Sequence, residues 1–499
     1  MASGLSGHSF LCCRDRDTGA VFHRTHFREQ NVWLSLKKNC MRKFGAFFLL
    51  LLTAHAYAQN DDSAFIRTIA DEILVNGKAY ENLRVLCKTV GGRLAGSPQT
   101  ARAESWGMKT LQQSGAGKVY LQQCMVPHWE RGGKDEASVQ YKDDQGKSVT
   151  DNLDILALGN SLGSGKNGVK APVILIKDFD ELEKRKEEIK GKIVFYNYPF
   201  NPRYIVTMRA YGESGLYRRM GPSRAAKYGA VAVLIRSMSE STDNNPHTGA
   251  TAYDSTYPKI PCAAMGLRDA DRLSQVLASG KVVQGYLKTM AHFLPDTVGH
   301  NVIGEWTGTE KPDEIITVGG HLDSWDPAEG AHDDGTGCVH AIEVLRALKQ
   351  IGYKPKRTIR VVLFANEENG GRGGSKYAEE ARQKNEKHIF ALESDDGGFT
   401  PRGFGFTMPA QQLQKIRTWV PLLMPYGVYE FTQGGGGSDI NPLGRTLQTP
   451  LAGLVPDTQR YFDLHHARND VFENVNKREL ELGAVNIAAL IYLVDKYGL

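Results

Sequence analysis

Ile315-Ile316-Thr317-Val318, then residues 337–350, then Ile359-Arg360-Val361-Val362-Leu363-Phe364 are the stretches whose reading decides the fold. The two outer runs have the length and β-branched content of buried strands. Between them Val339, Ile342, Leu345 and Leu348 recur every third residue, with Cys338, Ala341 and Val344 broadening the stripe. That spacing predicts a helix able to cover a sheet face. Strand, helix, strand is the unit of an α/β sheet.

Outward from this unit, Ile389-Phe390-Ala391-Leu392 reads as a further buried strand, and residues 476–497 as a terminal helix. Residues 62–116 read as mainly helical, interrupted at Asn76-Gly77. The middle differs. Val173-Ile174-Leu175-Ile176, Ile193-Val194-Phe195-Tyr196 and Val231-Ala232-Val233-Leu234-Ile235 are short strands between Gly-, Pro- and charge-rich turns. They predict a small β-rich domain at 147–290, inserted into a main domain made of 59–146 and 291–499.

Three strand ends carry carboxylates. His321 directly follows the first strand, within Gly319-Gly320-His321-Leu322-Asp323, and Asp333 precedes the helix. Asn366-Glu367-Glu368-Asn369 follows the second strand and Glu393-Ser394-Asp395-Asp396 the next. The carboxyl end of a sheet is where α/β proteins place their sites. One such cluster alone reads as surface charge; three at neighbouring strand ends read as a metal site. His465-His466 adds imidazoles near the C-terminus, and Asp470, four residues after His466, suits a carboxylate that fixes the tautomer of a metal ligand. Asp323 offers His321 the same pairing at shorter range.

GGHLDSWD at 319–326, GAHDDGTG at 330–337, NEENGGRGGSKY at 366–377, ESDDGG at 393–398 and HHARND at 465–470 together resemble the two-zinc aminopeptidase and carboxypeptidase family. The resemblance implies a mixed-sheet α/β peptidase domain sandwiched by helices, with 147–290 as an inserted protease-associated domain. It implies two Zn²⁺ per chain: His321 and Asp395 on one ion, Glu368 and His466 on the other, and Asp333 bridging. Glu367 then matches the general base, and Asp323 belongs with the catalytic residues beside His321. The tyrosine that many members use to hold the oxyanion has no clear match, and His465 is the expected substitute. The loop Thr432 to Asp439, with glycines at 434–437, resembles a substrate-contacting loop. The implied activity is that of a dipeptidase or carboxypeptidase acting on small peptides, with aminopeptidase action as the alternative and a homodimer as the assembly. Receptor ectodomains on this scaffold have lost ligands, whereas all five positions here are acceptable ones.

The chain has 499 residues, 41% apolar and 23% charged, a globular composition. From Met41 the pattern is Arg42-Lys43, an apolar run from Phe44 to Thr53, then Ala56-Tyr57-Ala58, which predicts a secretory signal peptide at 41–58 behind an upstream extension at 1–40. The apolar run is too short for a stable membrane anchor, and a periplasmic or extracellular protein is expected. Residues 1–58 hold eight of the 61 basic and three of the 56 acidic side chains, leaving 53 of each sign. A neutral mature chain lacks the basic footprint of a nucleic-acid binder. Cys87, Cys124, Cys262 and Cys338 contain no CxxC pair and are open to either buried thiols or a Cys87–Cys124 disulfide.

Overall fold

In a computed structural model of the chain, which describes residues 61–499, the Ile315–Val318 run lies in the strand Lys311–His321 and the Ile359–Phe364 run in the strand Arg357–Phe364. The two pair in parallel, with Gly320 opposite Leu363 and His321 opposite Phe364. On the other side of Lys311–His321 the strand Lys387–Glu393 is also parallel, with Gly319 opposite Glu393. Three carboxyl-terminal strand ends therefore finish at one level.

The full sheet has eight strands in the order Lys118–Glu130, His292–Trp306, Arg357–Phe364, Lys311–His321, Lys387–Glu393, Leu451–Pro456, Pro401–Thr407 and Glu430–Gln433. It is mixed, with antiparallel pairs towards both edges. Every residue of Arg357–Phe364 is buried, as a central strand covered on both faces requires. Alternate side chains go to opposite cores. Ile359, Val361 and Leu363 pack with the helices Thr336–Gln350 and Lys477–Tyr497. Val362 and Phe364 pack with Tyr377 and Ala378 of Arg372–Gln383 and Leu443 of Asn441–Leu447. The result is a sheet between helical layers. Asn476 starts the terminal helix by accepting hydrogen bonds from the Arg478 and Glu479 amides.

A second eight-stranded sheet, Glu136–Lys142 through Gln284–Lys288, forms the insertion. Its first strand along the chain lies before residue 147. Glu136–Lys142 pairs with both Ser148–Leu153 and Gln284–Lys288, so the polar stretch between 142 and 148 is a hairpin turn inside this sheet. The insertion is also less purely β than expected, because it carries the 21-residue helix Thr207–Lys227 and the helix Leu267–Ala278. Gly212, Gly215, Gly221 and Pro222 hid the longer helix; these residues disfavour a helix intrinsically and break its apolar period. Both sheets belong to the unit Ala64–Leu499. The four cysteines of this region are buried free thiols. No helix among the described residues is long and apolar enough to cross a membrane. The expected signal peptide lies outside the described residues.

Candidate metal centre

The sheet brings His321, Asp333, Glu368, Asp395 and His466 together although the last follows the first by 145 residues. Asp333 sits in the buried turn Ala331–Gly335 at the head of the helix Thr336–Gln350, with one carboxylate oxygen turned to each of two groups. Its Oδ1 lies 3.2 Å from His321 Nε2, which is also 3.1 Å from Asp395 Oδ1. Its Oδ2 lies 3.2 Å from His466 Nε2, which is in turn 3.2 Å from Glu368 Oε2. His465 Nε2 is further from Asp333 Oδ2, at 3.6 Å, and its ring stacks on that of His466. Asn366 and His466 hold left-handed backbone at φ 62° and 61°. Strain of this kind in residues with a Cβ is found where surrounding structure fixes a functional geometry.

The supporting contacts differ from the pairings expected along the sequence. His321 Nδ1 faces the Asp323 carbonyl at 3.0 Å, while the Asp323 carboxylate accepts hydrogen bonds from the amides of Glu367 at 3.0 Å and Glu368 at 3.4 Å. Asp323 thus orients three residues at once. Asp470 does not reach the His466 ring: its carboxylate accepts from the amides of His332 at 2.7 Å and Asp333 at 3.2 Å. His466 is oriented instead by the insertion. Its Nδ1 is 3.3 Å from the Thr248 carbonyl, and the Thr248 amide donates to the His466 carbonyl at 2.9 Å. An Nδ1–H on a carbonyl leaves Nε2 free to bind a metal. Asp334, also near His321 and Asp395, spends its oxygens on the amides of His321 and Gly337 at 2.9 Å each.

The donor set fits a divalent cation. Glu368 Oε1 is buried with no hydrogen-bond partner among the described residues, and Asp333 Oδ2 faces only the imidazoles of His465 and His466, which is costly for a carboxylate unless a cation completes its shell. Burial, and then the Asp333 charge, pushes the Glu368 carboxyl up to about 8. Burial also lifts Asp395 to about 6. For Asp333 burial opposes ionisation too, but His321 and His466 outweigh it and hold the group well below the usual range. Protons on the imidazoles balance the carboxylates where zinc, with its preference for nitrogen and oxygen donors, would do so.

These residues line a cavity of about 380 Å³ together with Glu367, His465, Asp396, Ser438 and Tyr461. Ser438 is the member of the glycine-rich loop that reaches it. Met208, Tyr211, Arg218, Arg219 and Ala250 enter the same cavity from the insertion. No local motif marks those five. Tyr461, four residues before His465, was not singled out in the sequence; its hydroxyl donates to the Asp395 carbonyl at 3.3 Å.

The model of peptidase family M28 matches residues 301–491, the segment that supplies every one of these candidate ligands. Carboxypeptidase Q of Homo sapiens is 37% identical over 426 residues, 85% of this chain and 87% of that protein. The chain belongs to peptidase family M28. A solved structure of a peptidase M28 precursor from Shewanella amazonensis SB2B has a TM-score of 0.82 at 31% identity, covering 88% of this chain and 97% of that one. BSAP, a zinc aminopeptidase from Bacillus subtilis, shares the fold with a TM-score of 0.59 at 20% identity, over 83% of this chain and 94% of that one. This M28 chain is a zinc metallopeptidase, and its helix-covered mixed sheet is the fold expected from the sequence.

Proposed function

We propose that the chain is an exported exopeptidase that hydrolyses dipeptides or short peptides with two zinc ions. The observation that carries this reading is Asp333, whose two oxygens each face a separate histidine–carboxylate pair. His321 and Asp395 would hold one ion, Glu368 and His466 the other, and Asp333 both. Bound there, the ions would supply Lewis acidity, holding and acidifying the attacking water and polarising the scissile carbonyl. Glu367, in the cavity and tethered through its amide to Asp323, takes the proton from that water on its carboxylate. It returns the proton to the departing amine nitrogen as the C–N bond breaks. His465, whose ring stacks on that of His466, would donate a hydrogen bond to the carbonyl oxygen as it becomes an oxyanion.

A cavity of this size suits a short substrate. Residues 41–58 support export, and a homodimer is part of the same proposal, to be read from sedimentation of the mature protein. The test of the activity is direct. Purified protein is expected to carry two zinc ions per chain, to hydrolyse unblocked dipeptides, and to lose both zinc and activity to a chelator with recovery on adding zinc. A single ion per fully active chain would remove the two-metal reading.

A further inference from the structure

Arg218, on the inserted helix Thr207–Lys227, is 5% exposed, and the partners it has are not carboxylates. Its Nη2 donates to the Tyr211 hydroxyl at 2.6 Å, and its Nη1 lies 3.3 Å from the Thr248 carbonyl and 3.2 Å from His466 Nδ1. Its Nε is buried with no hydrogen-bond partner among the described residues. A buried charge is ordinarily paired, because removing it from water is expensive. Of five guanidinium N–H donors, Tyr211 and Thr248 take two. Arg218 and the more exposed Arg219 both line the metal cavity, whose other charged groups are mainly carboxylates. An anion is the missing partner, and the cavity is where it enters.

Position defines the anion. Arg218 is separated from the metal-facing Nε2 of His466 by the width of one imidazole ring. One residue of extended chain spans at most about 3.6 Å, so a carboxylate held here belongs to the residue that directly follows the scissile bond. We propose that Arg218, assisted by Arg219, binds the free α-carboxylate of the substrate, so that the bond cleaved is the last one of the peptide. The inference rests on the metallopeptidase reading above and adds which end of the substrate is recognised, and by what. Arginine matches a carboxylate in a planar, charge-assisted pair.

The zinc-loaded protein is to be assayed on one dipeptide in three forms: unblocked, C-amidated and N-acetylated. Wild type is expected to favour the free acid over the amide by about tenfold or more in kcat/KM, the scale of a lost charged hydrogen bond. Arg218→Lys and the exposed-site variant Arg219→Gln are expected to shrink that ratio through KM. Calorimetric titration of the Glu367→Gln protein with the free acid and the amide reads the same preference without turnover, and adding Arg219→Gln should reduce it. The proposal is overturned if wild type cleaves and binds the amide as well as the acid. It is also overturned if the variants weaken both forms in equal proportion, since the arginines would then act on His466 and not on substrate. If wild type hydrolyses none of the three forms, the peptidase reading has failed, and the titration alone decides the carboxylate site.

Discussion

Glu367 and Glu368 are chain neighbours that the turn after Phe364 sends to different tasks. Glu368 is buried against His466 and Asp333, whereas Glu367 is partly exposed in the cavity. Replacing Glu367 with Gln keeps the side chain's size and removes the proposed base, so kcat should fall by about 10²–10⁴ while zinc content stays near that of wild type. Glu368→Gln should lose zinc as well. Metal analysis beside steady-state kinetics checks both, and the opposite pattern would exchange the two roles. At this scale strand ends and a helix start drew attention in the sequence to His321, Asp333, Glu367, Glu368 and Asp395, whereas His466 and the role proposed for each residue came from the resemblance to the family. The supporting contacts were not legible. Proximity along the chain suggested that Asp470 holds His466, yet Asp470 binds the amides of His332 and Asp333, and the carbonyl facing His466 comes from Thr248, 218 residues away.

Among elements, the insertion touches the candidate site through the loop that carries Thr248 and Gly249. Gly249 has φ 120°, and a Cβ there would stand 2.5 Å from both His466 Nδ1 and the Arg218 Nη1. Gly249→Ala should therefore displace His466. Losing the orientation of a metal ligand typically lowers affinity by about 10–100-fold, which competition with a chelating dye would measure. Unchanged zinc affinity in this variant would mean that the loop does not position His466. Strands of the main sheet were readable because a buried parallel strand is a continuous apolar run, as in Arg357–Phe364. The helix Thr207–Lys227 was not, because its place is set by packing of Ala210, Tyr217 and Ala225 into two cores and not by local propensity.

For the whole molecule, the buried carboxyls make stability depend on pH in opposite ways with and without metal. Burial, as the largest cause, pushes Glu368 and Glu393 up to about 8 and Asp396 and Asp470 up to about 7. An unfolded carboxyl titrates near about 4, so between about pH 6.5 and 8 the folded metal-free protein binds more protons than the unfolded chain. Its stability must then fall as pH rises. His321 and His466, raised above their ordinary range, act in the same sense: their contribution is present below about 6.5 and lost as pH climbs through the folded value. Buried His332 and His340, pushed down to about 4, oppose this only at lower pH, where the unfolded imidazole gains its proton. Zinc reverses the slope, because it binds the deprotonated ligands and competes better as protons become scarce. Calorimetry from pH 6.5 to 8 should show Tm falling in the chelator-treated protein and holding or rising in the zinc-loaded one. A metal-free Tm that rises across this window would mean that the folded site does not hold those protons, and that its carboxylates are balanced by something other than the cation inferred from their geometry.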